Sequence, residues 1–381
     1  MRSTTRRNIL WVLALVVALA AVGVAYVRQG PDAEVVVPPE GPRVPDDPGP
    51  GCGAAAATDP ADLRIGRAVA RCEAGAPEAV PLPQPAGVRV ALTESTAAAA
   101  PLLLAQATDE FEAENLTIEV VQMDQPEAYA AMARGEIDAV VGTVDAPFLD
   151  AVREGGGARL VLGGPLSRAP NDTEVAQAGL WADTSVLPDP AHWRSVEGQR
   201  MAVSGGIGSG ALYPVGLVLD QNELTLNALD IVPASSAEAA RRLKDAEVSL
   251  AWLPEPEAAE VAGDDAFMLL GTLPASEAIE GTVFAPRLLA ADRATGLAYV
   301  RAVLRTVNTY LADGWSEEAV DALDEDLTGG SAPLYDWEIR ADTTTRIQAA
   351  LVVVGGVAHE RPLPDSAVVD RSLYQDVVAG G

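Results

Sequence analysis

From Val88 onward, short apolar runs alternate with longer stretches of helical composition, and this alternation sets the fold class. Val88–Leu92, Leu116–Val121, Ile137–Val141 and Arg159–Leu162 read as strands; Ala97–Glu114, Pro126–Arg134 and Ala146–Glu154 between them read as helices. A second series has strands at Arg200–Val203, Leu229–Val232, Val248–Trp252 and Phe267–Leu270, with helices at Gly210–Gln221, Ser235–Lys244 and Glu255–Ala262. Residues 164–199 between the series are loop-rich, with one strand-like piece, Gly179–Ala182. Strand–helix–strand units make parallel pairs with right-handed crossovers. Each series therefore predicts an α/β lobe, a mostly parallel sheet flanked by helices, and the break between them predicts a crossing segment. Thr282–Ala290 reads as a returning strand. Arg293–Ala312, Ser316–Asp324 and Thr343–Val353 read as C-terminal helices packing back on the first lobe.

Ahead of this region the chain changes character. Arg2, Arg6 and Arg7 precede an uncharged apolar run, Ile9–Val27, about as long as a bilayer core is thick. Positive charge before the run puts the N-terminus in the cytoplasm and the remainder outside. Residues 1–28 are thus a membrane anchor, or a signal segment if cleaved near Ala20–Ala25, and Thr5–Leu10 has the look of a twin-arginine export string. Residues 29–86 form a Pro/Gly-rich spacer with two cysteines, Cys52 and Cys72, flanking a short predicted helix at Asp59–Ala70. Outside the cytoplasm these cysteines are expected to pair, closing a loop of about 20 residues worth roughly 3 kcal/mol. The alternative is two free thiols. The folded part divides into 87–185 (first lobe, first part), 186–275 (second lobe) and 276–381 (return to the first lobe and C-terminal helices).

A formal charge of −29 argues against nucleic acid and against anionic lipid headgroups as partners, since both need a basic surface. Lys244 is the only lysine. Two cysteines and two histidines, His192 and His359, do not supply a clustered zinc site.

Four phrases carry a resemblance. They are FEAENLTIEVV at Phe111–Val121, MARGEIDAVVG at Met132–Gly142, VEGQRMAVSGGIGSG at Val196–Gly210 and DAEVSLAWLPEP at Asp245–Pro256. In this order and spacing they resemble the ABC-importer substrate-binding proteins of the nitrate/taurine/sulfonate type, a group that includes thiamine-precursor binders. The resemblance covers about residues 88–313. It implies a type II periplasmic-binding-protein fold, two lobes closing on a small molecule, and delivery to permease and ATPase subunits; no cofactor is assigned. The anchor, the two-cysteine insert and the acidity depart from the pattern. They leave open an anchored sensor or accessory subunit with a degenerate or protein-directed cleft.

In open α/β sheets, ligands sit outside the carboxyl ends of the strands. That singles out four loops. Thr93, Glu94, Ser95 and Thr96 offer hydroxyls ahead of a helix N-terminus, or cap it. Gly142 and Thr143 precede Asp145, a helix cap or a ligand contact. Ser204, Gly205, Gly206, Ile207, Gly208 and Ser209 let backbone N–H groups approach a ligand. The same loop reads as a loose dinucleotide fingerprint through Gly206, Gly208 and Ala211, with no acidic residue ending the next strand. Trp252 is a stacking surface or a core residue, Glu255 an amine ligand or a cap, and Tyr213 and Trp181 are further aromatic candidates. Helix N-termini favour an anion, whereas Glu94, Asp145 and Glu255 favour a cation or zwitterion, so ligand charge stays open. There is no G-x-S-x-G elbow and no histidine beside a nucleophile motif, so no catalytic residue is assigned, and an enzyme on the same fold, working by carboxylates alone, is the lesser alternative.

Overall fold

The computed structural model describes residue 52 and residues 56–64, 69–94, 96–166, 178–187, 193–274, 277–312, 314–328 and 332–380. Residues 1–28, the expected anchor or signal segment, lie outside the described residues, as do 29–51 of the spacer.

The chain runs through β1 (Ala86–Leu92), α1 (Ala100–Ala107), β2 (Leu116–Gln122), α2 (Gln125–Ala133), β3 (Ala139–Thr143), α3 (Ala146–Arg153) and β4 (Arg159–Gly163). It continues with β5 (Gly179–Asp183), β6 (Arg200–Val203), α4 (Leu212–Asp220), β7 (Asp230–Pro233), α5 (Ser236–Lys244), β8 (Leu250–Leu253), α6 (Ala259–Ala262), β9 (Phe267–Gly271) and β10 (Glu280–Phe284). Local chemistry explains the starts. Pro126 and Pro147 occupy the first turns of α2 and α3, where a missing N–H costs nothing. At α5, Ser235 accepts the N–H of Glu238 at 3.3 Å, half of a capping box.

The strands form two five-stranded sheets, ordered β2-β1-β3-β10-β4 and β7-β6-β8-β5-β9. In the first, β1 pairs parallel with β2 and β3, and β10 runs antiparallel between β3 and β4. In the second, β6 pairs parallel with β7 and β8, and β5 runs antiparallel between β8 and β9. The sheets are therefore mixed, with one reversed strand at the same place in each. That strand is always the first one made after the chain leaves the other sheet. The crossing chain enters at the carboxyl edge of its new sheet, so it must run away from that edge, opposite to its neighbours. The sequence placed β5 within the first-lobe range 87–185; its pairing puts it in the second sheet, because the crossing precedes it. β10 ends at Phe284, short of the expected Ala290, since Pro286 supplies no ladder donor and leads into a helical turn at Arg287–Ala291.

Beyond it, α7 (Arg293–Tyr310) packs on α1, as expected for the first lobe, and α9 (Ser372–Val378), a helix the sequence reading did not name, packs on α7 and β4. Of the helices between them, Glu317–Ala322, inside the expected Ser316–Asp324, also contacts α1, whereas α8 (Thr343–Val354) instead packs on α4 of the second lobe. Its buried Ile347 and Leu351, one turn apart, join the apolar cluster of Leu212, Val215, Leu219 and Leu226. Asn227 donates to the Val353 carbonyl at 3.3 Å. Gly356 lies so close to lobe two that an added Cβ would sit 1.9 Å from the Ile207 carbonyl oxygen.

Cys52 and Cys72 form a disulfide. Between them, the expected helix at Asp59–Ala70 is absent over the described Asp59–Arg64. There Asp59 accepts the Ala61 N–H at 2.9 Å and Asp62 the Arg64 N–H at 3.1 Å, local turns that compete with a helix. Buried Cys52, Ala56, Ala70 and Ala76 join the core of the first lobe. Buried Arg301 and Arg305 of α7 bind Glu114 at 3.0 and 2.8 Å and also hold the carbonyls of Val80 and Pro77. The later part of the expected spacer is thus fastened to the domain.

Candidate binding cleft

Both sheets turn the carboxyl ends of their strands toward a shared cleft of about 800 Å³. The first lobe contributes Thr93 and Glu94 after β1, Gln122, Asp124, Gln125 and Glu127 where β2 passes into α2, and Thr143 and Asp145 between β3 and α3. The second contributes Ser204, Gly205 and Gly208 after β6, Pro233 to Ala237 between β7 and α5, and Glu257 after β8. A smaller cavity of about 120 Å³ adjoins it through Thr96, which lines both. Trp252, Leu166, Leu273 and Ile279 give it apolar walls, and Glu255 and Glu280 carboxyl groups.

Two carboxylates of the first lobe bridge to the second. Ser204 donates its hydroxyl to Glu94 Oε1, and Ser236 donates to Glu94 Oε2 at 3.1 Å. Asp145 Oδ1 accepts the Gly210 N–H at 2.7 Å. Gly210 must be glycine, since a Cβ would meet the Val144 carbonyl oxygen at 2.4 Å. Asp145 is 5% exposed. Burial pushes its carboxyl up to about 8; the Gly210 hydrogen bond opposes the shift, and the charges of Glu94 and Glu280 add to it. Burial likewise raises Glu280 to about 7, opposed by a hydrogen bond with Thr96 and assisted by Glu94.

Of the residues singled out on sequence, Thr93, Glu94, Thr96, Thr143, Asp145, Ser204, Gly205 and Gly208 line the main cleft. Trp252 and Glu255 line the smaller cavity. Ser95 and His192 lie outside the described residues. The rest are elsewhere, for packing reasons. Gly142 sits beneath Thr93, where a Cβ would fall 2.1 Å from Oγ1. Gly206 turns with φ +58° against Pro233. Ile207 is 48% exposed, with its carbonyl toward Gly356. Ser209 is buried, its hydroxyl accepting the Ala211 N–H at 3.3 Å. Tyr213 is buried, donating to Glu277 at 2.7 Å and accepting from Arg346 at 2.9 Å. Trp181 belongs to the core of the second lobe. His359 meets Gln348 at 3.2 Å, away from the cleft.

Sequence reasoning missed Asp124, Gln125, Glu127, Ser236 and Glu280. The first four follow β2 and β7 and were open to the same strand-end rule. Glu280 begins a strand that enters the sheet reversed, so its first residue, not its last, faces the cleft.

Two α/β lobes meeting at the carboxyl ends of their strands, with one reversed crossing strand each, define the periplasmic-binding-protein type of fold. Solved structures show this likeness with the substrate-binding components of ABC importers. One is the ligand-binding component of an ABC-type import system from Staphylococcus aureus, with zinc bound: 14% identity over 76% of this chain and 98% of that one, TM-score 0.59. Another is the periplasmic nitrate-binding protein NrtA of Synechocystis, at 11% identity, 77% and 88% coverage and TM-score 0.58. A third is a putative sulfonate ABC transporter's periplasmic sulfonate-binding protein, SsuA, from Methylobacillus flagellatus, at 17% identity, 77% and 93% coverage and TM-score 0.52. At these identities the likeness is one of fold, and it is the fold that the sequence resemblance implies. No protein-family model matches the sequence, and no curated protein matches it.

Proposed function

We propose that the chain is an extracytoplasmic solute-binding protein that captures a small molecule between its lobes and hands it to the permease and ATPase of an ABC-type importer. The observation that carries this reading is the cleft of about 800 Å³, lined from both lobes at strand carboxyl ends and already bridged by Glu94 and Asp145. Closure by hinge motion at the two crossings, β4 to β5 and β9 to β10, is the mechanism, and no covalent step is assigned. The Cys52–Cys72 disulfide fits an oxidising compartment. In this reading residues 1–28 tether the protein to the outer face of the membrane.

The test is thermal unfolding of the full chain in detergent against a panel of sulfonates, nitrate, bicarbonate, pyrimidines, amines, amino acids and NAD. A ligand at about 100 times its Kd adds about 2.7 kcal/mol, a rise of a few degrees. A rise with one class of small solute supports the clamp. A flat response to the whole panel removes it.

A further inference from the structure

The sequence leaves a conflict over ligand charge, because the helix N-termini around the cleft favour an anion and the nearby carboxylates a cation. The structure bears on it. The anion-favouring corner of the second lobe, Ser204 after β6 and Ser236 at the head of α5, is already occupied by a carboxylate of the protein itself, Glu94. An incoming anion would have to displace Glu94 and enter a cavity whose other charged walls are Asp124, Glu127, Asp145 and Glu257, with no lysine, arginine or histidine among its described lining. The adjoining cavity adds Glu255 and Glu280, again with no lysine, arginine or histidine among its described lining.

A second observation points inward. Asp145 is buried, lines the cleft and spends one oxygen on the Gly210 N–H. Its other oxygen, Oδ2, accepts no hydrogen bond from the described residues. Asp145 lines the cleft, so a ligand can bring a donor to this oxygen. An ammonium group supplies donors and charge together. The apolar wall of Trp252, Leu273 and Ile279 lies beside Glu280, where it would cover a hydrocarbon or ring attached to that ammonium.

Resting on the proposed binding function, we infer that the cleft takes an organic cation, its ammonium facing Asp145, Glu94 and Glu280 and its apolar part lying against Trp252. Proton linkage gives this a signature. Asp145 is faced by Tyr129 of α2, Glu94, Glu280 and the Gly210 N–H. Glu280 is faced by Thr96, Glu94 and Tyr335. Both carboxyls hold protons to unusually high pH in the free protein, so a bound cation expels protons and its affinity rises with pH. A bound anion would show the opposite slope.

The experiment is calorimetric titration of the full chain in detergent at low salt, from pH 6 to 8.5, with butylammonium, choline, butanesulfonate and nitrate. At least one ammonium probe is expected to bind, about tenfold or more tightly at pH 8.5 than at pH 6. Asp145→Asn keeps an acceptor for Gly210, so the fold persists. It should weaken binding at least tenfold and flatten the pH slope, and Glu94→Gln should weaken binding independently. Binding of butanesulfonate or nitrate without either ammonium overturns the cation assignment and leaves the binding-protein reading standing. So does ammonium binding that is insensitive to Asp145→Asn. Silence from all four probes, together with no thermal shift across the wider panel, removes both.

Discussion

Glu94 of the first lobe accepts the Ser236 hydroxyl of the second at 3.1 Å, a hydrogen bond that spans the cleft. Its other oxygen takes Ser204. Glu94→Ala removes both acceptors at once and should let the ligand-free lobes part. Small-angle scattering should then give a larger radius of gyration for the variant than for the wild type. Equal radii would show that the contact does not hold the lobes.

The stability of the free protein should depend on pH through the same cleft. Asp145 rises from 3.8 to about 8 and Glu280 from 4.5 to about 7 on folding. The folded chain therefore keeps protons that the unfolded chain has released. Their contribution is complete below pH 4, declines as pH rises and is gone above about 8. Each unit of one group's window is worth at most about 1.4 kcal/mol. The unfolding temperature should climb as pH falls from 8.5 to 5.5, and Asp145→Asn should flatten most of that slope.

Glu114 is buried between Arg301 and Arg305. Glu114→Ala would leave the buried Arg301 guanidinium without a carboxylate and Arg305 with Glu110 alone, a loss of about 3–5 kcal/mol. Urea unfolding should show it as a lowered midpoint. A change under 1 kcal/mol would mean that water reaches the pair.

Gly356→Ala drives a methyl group into the Ile207 carbonyl. The backbone must shift, at a cost of about 1–3 kcal/mol, read by the same denaturation. An unchanged midpoint would show that α8 lifts off without penalty.

Removing the disulfide with Cys52→Ser should cost roughly 3 kcal/mol for a loop of this length. The matching wild-type measurement is unfolding under reducing conditions, which should agree with the variant.

Much of the fold was legible because strand and helix leave local periodic marks. β6 lies where its apolar run predicted, and most other elements match within a few residues. The membership of β5 was not legible, since Gly179–Asp183 looks the same in either sheet and only its partners decide. The packing of α8 on the second lobe was hidden for the same reason: Ile347 and Leu351 announce an apolar stripe without naming its partner. At the site, the strand-end rule located Thr93, Glu94, Asp145 and Ser204. It could not distinguish a glycine needed for ligand approach, such as Gly205, from one needed for chain packing, such as Gly142. Nor could it show that Glu94 reaches across to Ser204 and Ser236, a contact that exists only once the lobes meet.

The placement of α8 also bears on mechanics. After the two crossings that feed β5 and β10, the chain visits the second lobe again with α8 before returning through α9. Buried Arg340 anchors this detour to Glu277, the carboxylate that also takes Tyr213 of α4 and Arg346 of α8. A door on two hinges swings freely about the line that joins them; one with a stay bar swings only as far as the bar permits. In the proposed hinge motion, the slack on either side of α8 would set the amplitude of opening. The gape of the molecule, and with it the largest solute admitted, would then be set by a segment that lines neither of the two cavities described.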